Sequence, residues 1–415
     1  MIPDKFGAKT MNSEASPNLE VGPLNYGKSP PCIKNCAKDR TNRMGEAREN
    51  EAKPEGGTSA IITRIAASLN PSEATAFKKL VERCETTQLL DRPSNLDKND
   101  LPSGINDPST LLRFLRARTL DAEAAHTQFK EALDLRATTS ITTFYDEIDT
   151  QDFDEARKLY PHWTGRFSKA GLPLCFFDIA HLDDDTLARY NKPHQGREEG
   201  VGTKHTLAVH DFLTRFVLPL ADVVKGETAE GPVINCLYLV DASSLGLKQA
   251  WGVKKYAQET SALLAGSYPE VLSRVFVMNA PAFFPAAWKW IKPWIEAGTA
   301  EKLVFLAGEE VLPTLQEYID ADSIPERWGG RFEWRHGMLP CLGKTVKEML
   351  QWDEAQEFPV GPLKWRDDGD GAIACFTGSE NGVLRQGKVV KDTETSVINS
   401  AEPLVMSGEQ TVGMA

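Results

Sequence analysis

The chain has 415 residues, 41% of them hydrophobic, with 47 Lys plus Arg against 59 Asp plus Glu and a formal net charge of -12. That length accommodates two or three average domains with a buried core. Neutralising nucleic-acid phosphates takes a surplus of cations on one face, so the acidic balance excludes general nucleic-acid binding and leaves only local basic sites.

Residues 1–57 are rich in Pro, Gly, Asn, Ser, Lys and Glu. They carry too few branched apolar side chains to offset the entropy of ordering and read as a disordered tail. Met1 to Thr10 lacks a signal peptide's apolar core, and no apolar run reaches the ~20 residues that cross a bilayer. A cytoplasmic protein is expected. Its seven cysteines (Cys32, Cys36, Cys84, Cys175, Cys236, Cys341 and Cys375) lack the dense spacing of a disulfide framework and read as reduced thiols. Cys32 and Cys36 have no second pair or His cluster at ligand spacing, and His162, His181, His205 and His210 do not space as a metal cage. No metal site is expected, and the histidines read as ordinary surface or core.

From Ser72, which can cap a helix, Ala76, Phe77, Leu80 and Val81 share one face. After a polar linker, Asp91 to Pro108, Ser109 or Thr110 caps a helix through Leu111-Leu112-Arg113-Phe114-Leu115-Arg116-Ala117-Arg118. A second helix runs from about Asp121 to Arg136 with Ala124, Ala125, Phe129, Ala132 and Leu133 inward, completing a helical hairpin.

Beyond Asp154 strands and helices alternate. Leu172 to Ala180 and Val233 to Val240 read as buried strands, Lys248 to Ala265 as a helix and Val275 to Met278 as a strand. A helix from about Pro285 to Ile295, a strand Leu303 to Leu306 and a last core helix from Glu310 to Ile319 follow. Such alternation implies an α/β fold with a mostly parallel sheet and right-handed crossovers. Lys364 to Lys391 reads as an appended hairpin, its turn at Asp367-Asp368-Gly369-Asp370-Gly371 lacking the terminal Glu of an EF-hand.

Enzyme signatures are missing from the sequence: there is no G-x-S-x-G elbow, phosphate loop, H-E-x-x-H or G-x-G-x-x-G after a strand. No catalytic residue is assigned and no enzyme is expected. Three blocks carry a different signal. They are Leu112 to Arg118; Tyr268-Pro269-Glu270 through Asn279-Ala280-Pro281 to Thr299-Ala300-Glu301-Lys302; and Ile324-Pro325-Glu326-Arg327-Trp328-Gly329-Gly330. In that order and at those separations they resemble the CRAL-TRIO family of lipid carriers, across roughly residues 109 to 335.

The resemblance implies an N-terminal helical subdomain (72–150), a CRAL-TRIO lipid-binding lobe with a helical gate (151–335) and a C-terminal extension, partly disordered (336–415). By likeness to the phosphatidylinositol transfer branch, Arg118, Glu270, Thr299 and Lys302 would meet the lipid head group. The chemistry suits the assignment: Arg118 and Lys302 can meet phosphate, while Glu270 and Thr299 can bond sugar hydroxyls. Read without the family, Arg118 and Lys302 are ordinary surface charges, Glu270 a turn cap and Thr299 an N-cap. Where transfer members often carry arginine after Tyr-Pro-Glu and lysine after the Arg118 equivalent, this chain has Val271 and Thr119. Gly246 and Lys248 stand where dual-specificity members place hydroxyls for phosphocholine.

The aromatic stretch Phe283, Phe284, Trp288, Trp290 and Trp294, with Lys289 and Lys292, suits a membrane-facing gate, in which Trp290 and Trp294, four apart on one face, are the better lipid contacts while Phe284 and Trp288 suit core packing more. The Asn279-Ala280-Pro281 turn and the Gly298 neighbourhood are candidate hinges. Phe176, Ile179, Leu237, Leu239, Phe276 and Met278 are expected to form the apolar floor beneath the lipid. The expected function is exchange of a phospholipid, phosphatidylinositol above others, by a carrier with no cofactor beyond the bound lipid and a transient, peripheral hold on the membrane surface. The alternatives are a lipid-gated regulator, or a carrier of a sterol-like or tocopherol-like molecule or haem; for haem, Val240-Asp241-Ala242 offers no His or Tyr ligand. No protein partner is indicated.

Overall fold

The computed structural model describes residues 56–192, 200–226, 231–284, 288–289, 292–294, 297–350, 357–369 and 371–389. Of the expected disordered tail, residues 1–57, all but Gly56 and Gly57, which open the first helix, lie outside these residues, as do Pro285, Trp290 and Ile295 of the expected gate helix.

The N-terminal helices are α1 (Gly56–Ser68), α2 (Pro71–Thr86), α3 (Pro108–Ala117) and α4 (Ala122–Thr138). Their caps differ from the sequence expectation. Asn70, with Pro71 behind it, accepts the Glu73 amide at the start of α2, and Asp107, with Pro108 behind it, accepts the Ser109 and Thr110 amides at the start of α3. Proline at the first helical position has no amide to leave unsatisfied, so each cap lies two residues earlier than Ser72 and Ser109 suggested. Phe77, Leu80, Val81, Leu111, Leu112, Phe114, Leu115, Ala125 and Phe129 form one apolar core between these helices. Ala124 and Leu133 are half-buried at its border.

Two short helices, α5 (Ile141–Glu147) and α6 (Thr150–Arg157), lead into a five-stranded sheet of order β1-β2-β3-β4-β5. The strands are β1 (His162–Phe167), β2 (Pro173–Asp178), β3 (Cys236–Asp241), β4 (Leu272–Met278) and β5 (Leu303–Leu306). β1 is antiparallel to β2, and β2 through β5 are parallel. The four apolar runs singled out in the sequence each overlap one of the parallel strands, with β4 starting three residues earlier, at Leu272, than its run suggested. Parallel neighbours in sequential order, joined by right-handed crossovers, place every crossover on the same face. Those crossovers hold α7 (Asp184–Asn191), α8 (Val201–Asp211) continuing through a π-helical turn (Phe212–Val217) into α9 (Leu218–Lys225), then α10 (Leu247–Gly252) and α11 (Lys254–Ser267).

The other face of the sheet is sealed by the helix Val311–Tyr318 and the segment after it. Leu174, Phe176, Leu237, Leu239, Phe276 and Met278 are all nearly inaccessible there, packed with Leu315, Ile319, Ile324, Trp328 and Trp334. Five of the six side chains expected as a ligand floor (Phe176, Leu237, Leu239, Phe276 and Met278) therefore belong to a closed core on the back of the sheet. The sixth, Ile179, packs on the crossover face with Val275 and Val277. Side chains alternate strictly across a strand, so a choice displaced by one residue selects the wrong face throughout.

The C-terminal hairpin is present as β6 (Leu363–Asp367) and β7 (Ala372–Phe376), antiparallel, with the strand Gly387–Lys388 added beside β7. It is built into the body. The Tyr145 hydroxyl donates to Leu363 O, the Trp365 indole donates to Phe216 O, and the Leu101 amide donates to Trp365 O. Lys364, 2% exposed, places its ammonium on the buried Asp100 carboxylate and 2.6 Å from Asp146. One lysine thus ties the interhelical linker and α5 to the extension. Lys364→Met leaves Asp100 and Asp146 short of a buried cation and should cost on the order of 3 kcal/mol of stability. Urea unfolding checks this; an unchanged midpoint would mean that the sheet is held by other contacts.

Candidate lipid-binding cavity

Between the crossover face of the sheet and α11 lies a cavity of about 680 Å³, within the size range of ligand pockets in proteins. Its floor is Phe177, Tyr238, Val240, Val275 and Leu303, which alternate with the back-face core, together with Leu272, brought to this face by the register shift at the start of β4. Its opposite wall is α11, through Tyr256, Ala257, Thr260, Ser261, Leu264 and Ala265. Every residue of α11 is exposed or half-buried. The helix stands off the sheet, because the space it would fill by direct packing is the cavity itself.

Arg118, Glu270, Thr299 and Lys302 all line this cavity. Residues far apart in sequence meet at this cavity: Arg118, Glu270 and Lys302 lie at or close to element ends, and Thr299 lies within the short helix Ala297–Glu301 rather than at its N-cap. Arg118 is the exposed C-cap of α3, delivered by a tight turn in which Thr119 and Leu120 take left-handed backbone angles. Glu270 lies two residues before β4 and Lys302 directly precedes β5. The Lys302 ammonium donates to Glu270 Oε2 at 2.8 Å, with the two side chains 25% and 29% exposed. An ammonium carries three donors, so this pair holds Lys302 in position with N–H groups left to offer an anion. The Lys302 amide donates to Thr299 O at 3.1 Å, which fixes the two residues in one turn.

Glu270 itself sits at φ 57°, in the left-handed region. The turn that holds it there is anchored by Tyr268, whose buried hydroxyl donates to Asp211 Oδ1 at 2.7 Å and lies 3.0 Å from Leu207 O. Asp211, at 0% exposure, also accepts two N–H groups from Arg136 at 2.6 and 2.8 Å. Burial acts to raise the Asp211 pKa, but Arg136's charge and hydrogen bonds outweigh it and hold the carboxyl below its ordinary range.

Sequence reasoning missed the polar part of the lining: Gln128, Tyr160, His210, Tyr256 and Thr260. His210 is buried, its Nδ1 against Thr206 O at 2.8 Å, and burial lowers its pKa to about 4. It is neutral at physiological pH. Tyr160 bonds Thr206 Oγ1 at 2.8 Å. No local motif marks these residues, since the cavity is assembled from separate segments scattered between Ala117 and Leu303.

Of the aromatic gate residues, Phe284 is buried and stacks with Trp288, and both pack on Phe305 of β5 with ring centroids 5.1 to 5.8 Å apart. Phe283 is half-buried, and the backbone at Trp294 lies in a short 3₁₀ turn. The candidate hinge at Asn279 has φ 55°, again left-handed.

A family model described as "CRAL/TRIO domain" matches residues 161–330, and one described as "CRAL/TRIO, N-terminal domain" matches residues 76–131. The SEC14 cytosolic factor of Candida glabrata is 24% identical over 305 residues, covering 70% of this chain and 96% of that protein. The SEC14 cytosolic factor of Eremothecium gossypii is 26% identical over 225 residues, 54% of this chain and 70% of that one. The phosphatidylinositol/phosphatidylcholine transfer protein SFH7 of Arabidopsis thaliana is 27% identical over 237 residues, 55% of this chain and 40% of that one. The crystal structure of Sfh5 overlays 68% of this chain and 96% of that one with a TM-score of 0.45 and 13% identity.

The left-handed angle at Glu270 gives a test of this local geometry. A non-glycine residue there costs roughly 1 kcal/mol that glycine does not. Both Glu270→Gly and Glu270→Ala lose the ion pair, but only the alanine keeps the strain. The glycine variant should be the more stable by about 1 kcal/mol in chemical unfolding; the reverse order would contradict the backbone geometry.

Proposed function

This chain belongs to the CRAL/TRIO domain family, and on that premise we propose that it binds one phospholipid, an inositide above others, and exchanges it between membranes without making or breaking a covalent bond. The observation that carries the reading is that Arg118, Glu270, Thr299 and Lys302 line one cavity with an otherwise largely apolar floor. Relatives named as cytosolic factors and as phosphatidylinositol/phosphatidylcholine transfer proteins support it.

The head group belongs at the edge where β4 and β5 begin. Arg118 and Lys302 meet the phosphate, and Glu270 and Thr299 meet hydroxyls. The acyl chains run beneath α11 over Phe177, Tyr238, Val240 and Val275. A diacyl lipid carries about thirty methylenes, and exposing them to water would cost on the order of 20 kcal/mol. Exchange therefore requires a bilayer in place of water when the cavity opens. Bending at Asn279 and release of Phe284 and Trp288 from Phe305 is the opening step in this reading, with the bilayer shifting the balance toward the open state.

A second reading is favoured by the hydroxyl groups of Tyr160, Tyr256 and Thr260 along the cavity. They suit a hydrophobe with a neutral polar group, such as a sterol-like molecule.

Lys302→Ala removes a half-buried cation at the cavity edge together with its ion pair to Glu270, and leaves the apolar core untouched. Phosphatidylinositol transfer between vesicles should fall by about tenfold, the scale of one charge-assisted hydrogen bond, while loss of the ion pair shifts unfolding by no more than about 1 kcal/mol. Undiminished transfer would remove Lys302 from the head-group site.

A further inference from the structure

On the crossover between β3 and α11, the helix α10 shows Leu247 and Trp251 60% and 62% exposed. Four residues apart, they lie on the same side of the helix. The opposite side is fastened: the Gln249 amide donates to Ile179 O at 2.6 Å and Leu182 O at 2.8 Å, and Leu245, just ahead of the helix, is buried. The apolar pair is thus held outward by a rigid anchor. They are the two most exposed large apolar side chains among the described residues, and their adjacency on one helix face, rather than exposure alone, marks an interaction surface.

Charge and position say what that surface meets. Lys248 and Lys255 are exposed beside the pair, and the Lys254 ammonium lies 5.0 Å over the Trp251 ring. Two acidic groups accompany them: Glu259 stands 3.7 Å from Lys255, and Asp184 of α7 lies against Gly252. Tryptophan and leucine flanked by lysines match the water–hydrocarbon boundary of an anionic bilayer, where the rings enter the acyl region and ammonium groups meet lipid phosphates. On a chain with a net charge of -12 such a cluster is a local exception. Its position fits too. α10 follows the C-terminal end of β3, while Glu270 and Lys302 precede the N-terminal ends of β4 and β5. The strands are parallel, so α10 and the Asn279 turn share the edge opposite the polar group of the cavity.

We infer that α10 is a membrane-docking element: Leu247 and Trp251 insert into an anionic lipid surface, with Lys248, Lys254 and Lys255 at the phosphates, and present the acyl end of the cavity to the bilayer. The inference rests on the carrier reading for its purpose but not for its test. Because α10 runs directly into α11, docking bears on the cavity wall itself.

The test is co-sedimentation of the full-length chain with phosphatidylcholine vesicles, with and without phosphatidylserine. Leu247→Ala with Trp251→Ala should weaken binding to the anionic vesicles on the order of a hundredfold, the scale set by withdrawing two large apolar side chains from lipid. Lys248→Glu with Lys255→Glu should abolish the preference for phosphatidylserine. Far-ultraviolet circular dichroism and the lipid content of each variant should match the parent, since all four side chains are exposed. Parent-like binding of the apolar double variant, or no binding of the parent chain to either vesicle, would overturn the docking inference. Absence of lipid from the purified parent would instead contradict the carrier reading, so the two failures are separable.

Discussion

The buried carboxylate of Asp211 is the point on which the candidate site depends. It is fully inaccessible and takes two hydrogen bonds from Arg136 of α4 and one from Tyr268, which leads into β4. An ionised carboxylate in such surroundings costs several kcal/mol unless it is paired and hydrogen-bonded. Satisfying it obliges three distant segments to meet: the N-terminal hairpin, the α8 crossover and the turn that presents Glu270. The interaction works less as a source of net stability than as a constraint on geometry. Its consequence is that the Tyr-Pro-Glu turn has one available position, and Glu270 and its partner Lys302 inherit that position.

A second constraint is the division of labour between the two faces of the sheet. Sequential parallel order sends all crossovers to one side, and the helix Val311–Tyr318 closes the other. The closed side supplies conventional core packing. The crossover side is then able to leave space beneath α11, because the sheet does not rely on that helix to bury its strands. Stability and cavity are thereby placed on opposite faces of the same strands, in residues that alternate one by one.

That alternation also explains what the sequence made legible. Strands buried on both faces read as continuous apolar runs, so β2 to β5 were identifiable from Leu172, Val233, Val275 and Leu303 onward. The same continuity conceals which face a residue serves: Phe176 and Phe177 are equally apolar, and the expected floor was assigned to the wrong one. Tyr238, the residue with a hydroxyl amid Leu237 and Leu239, was the available signal for the cavity face. Asn70-Pro71 and Asp107-Pro108 likewise marked the helix starts better than the serines that followed. β1 was hidden because Thr164, Gly165 and Arg166 interrupt its apolar pattern. The four head-group candidates were recognisable only through a family resemblance, since nothing local distinguishes Arg118 from the exposed Arg116. Tyr160, His210 and Tyr256 had no sequence signal, because their juxtaposition exists only after the crossovers close.

Mass spectrometry of the full-length chain, first intact under native conditions and then as its organic extract, tests the central claim most directly. The account predicts one phospholipid per chain, an inositide, lost in the Arg118→Ala, Lys302→Ala double variant while the fold is retained. A chain that carries no lipid and takes none up from vesicles, or a bound hydrophobe that is indifferent to that double substitution, would contradict it.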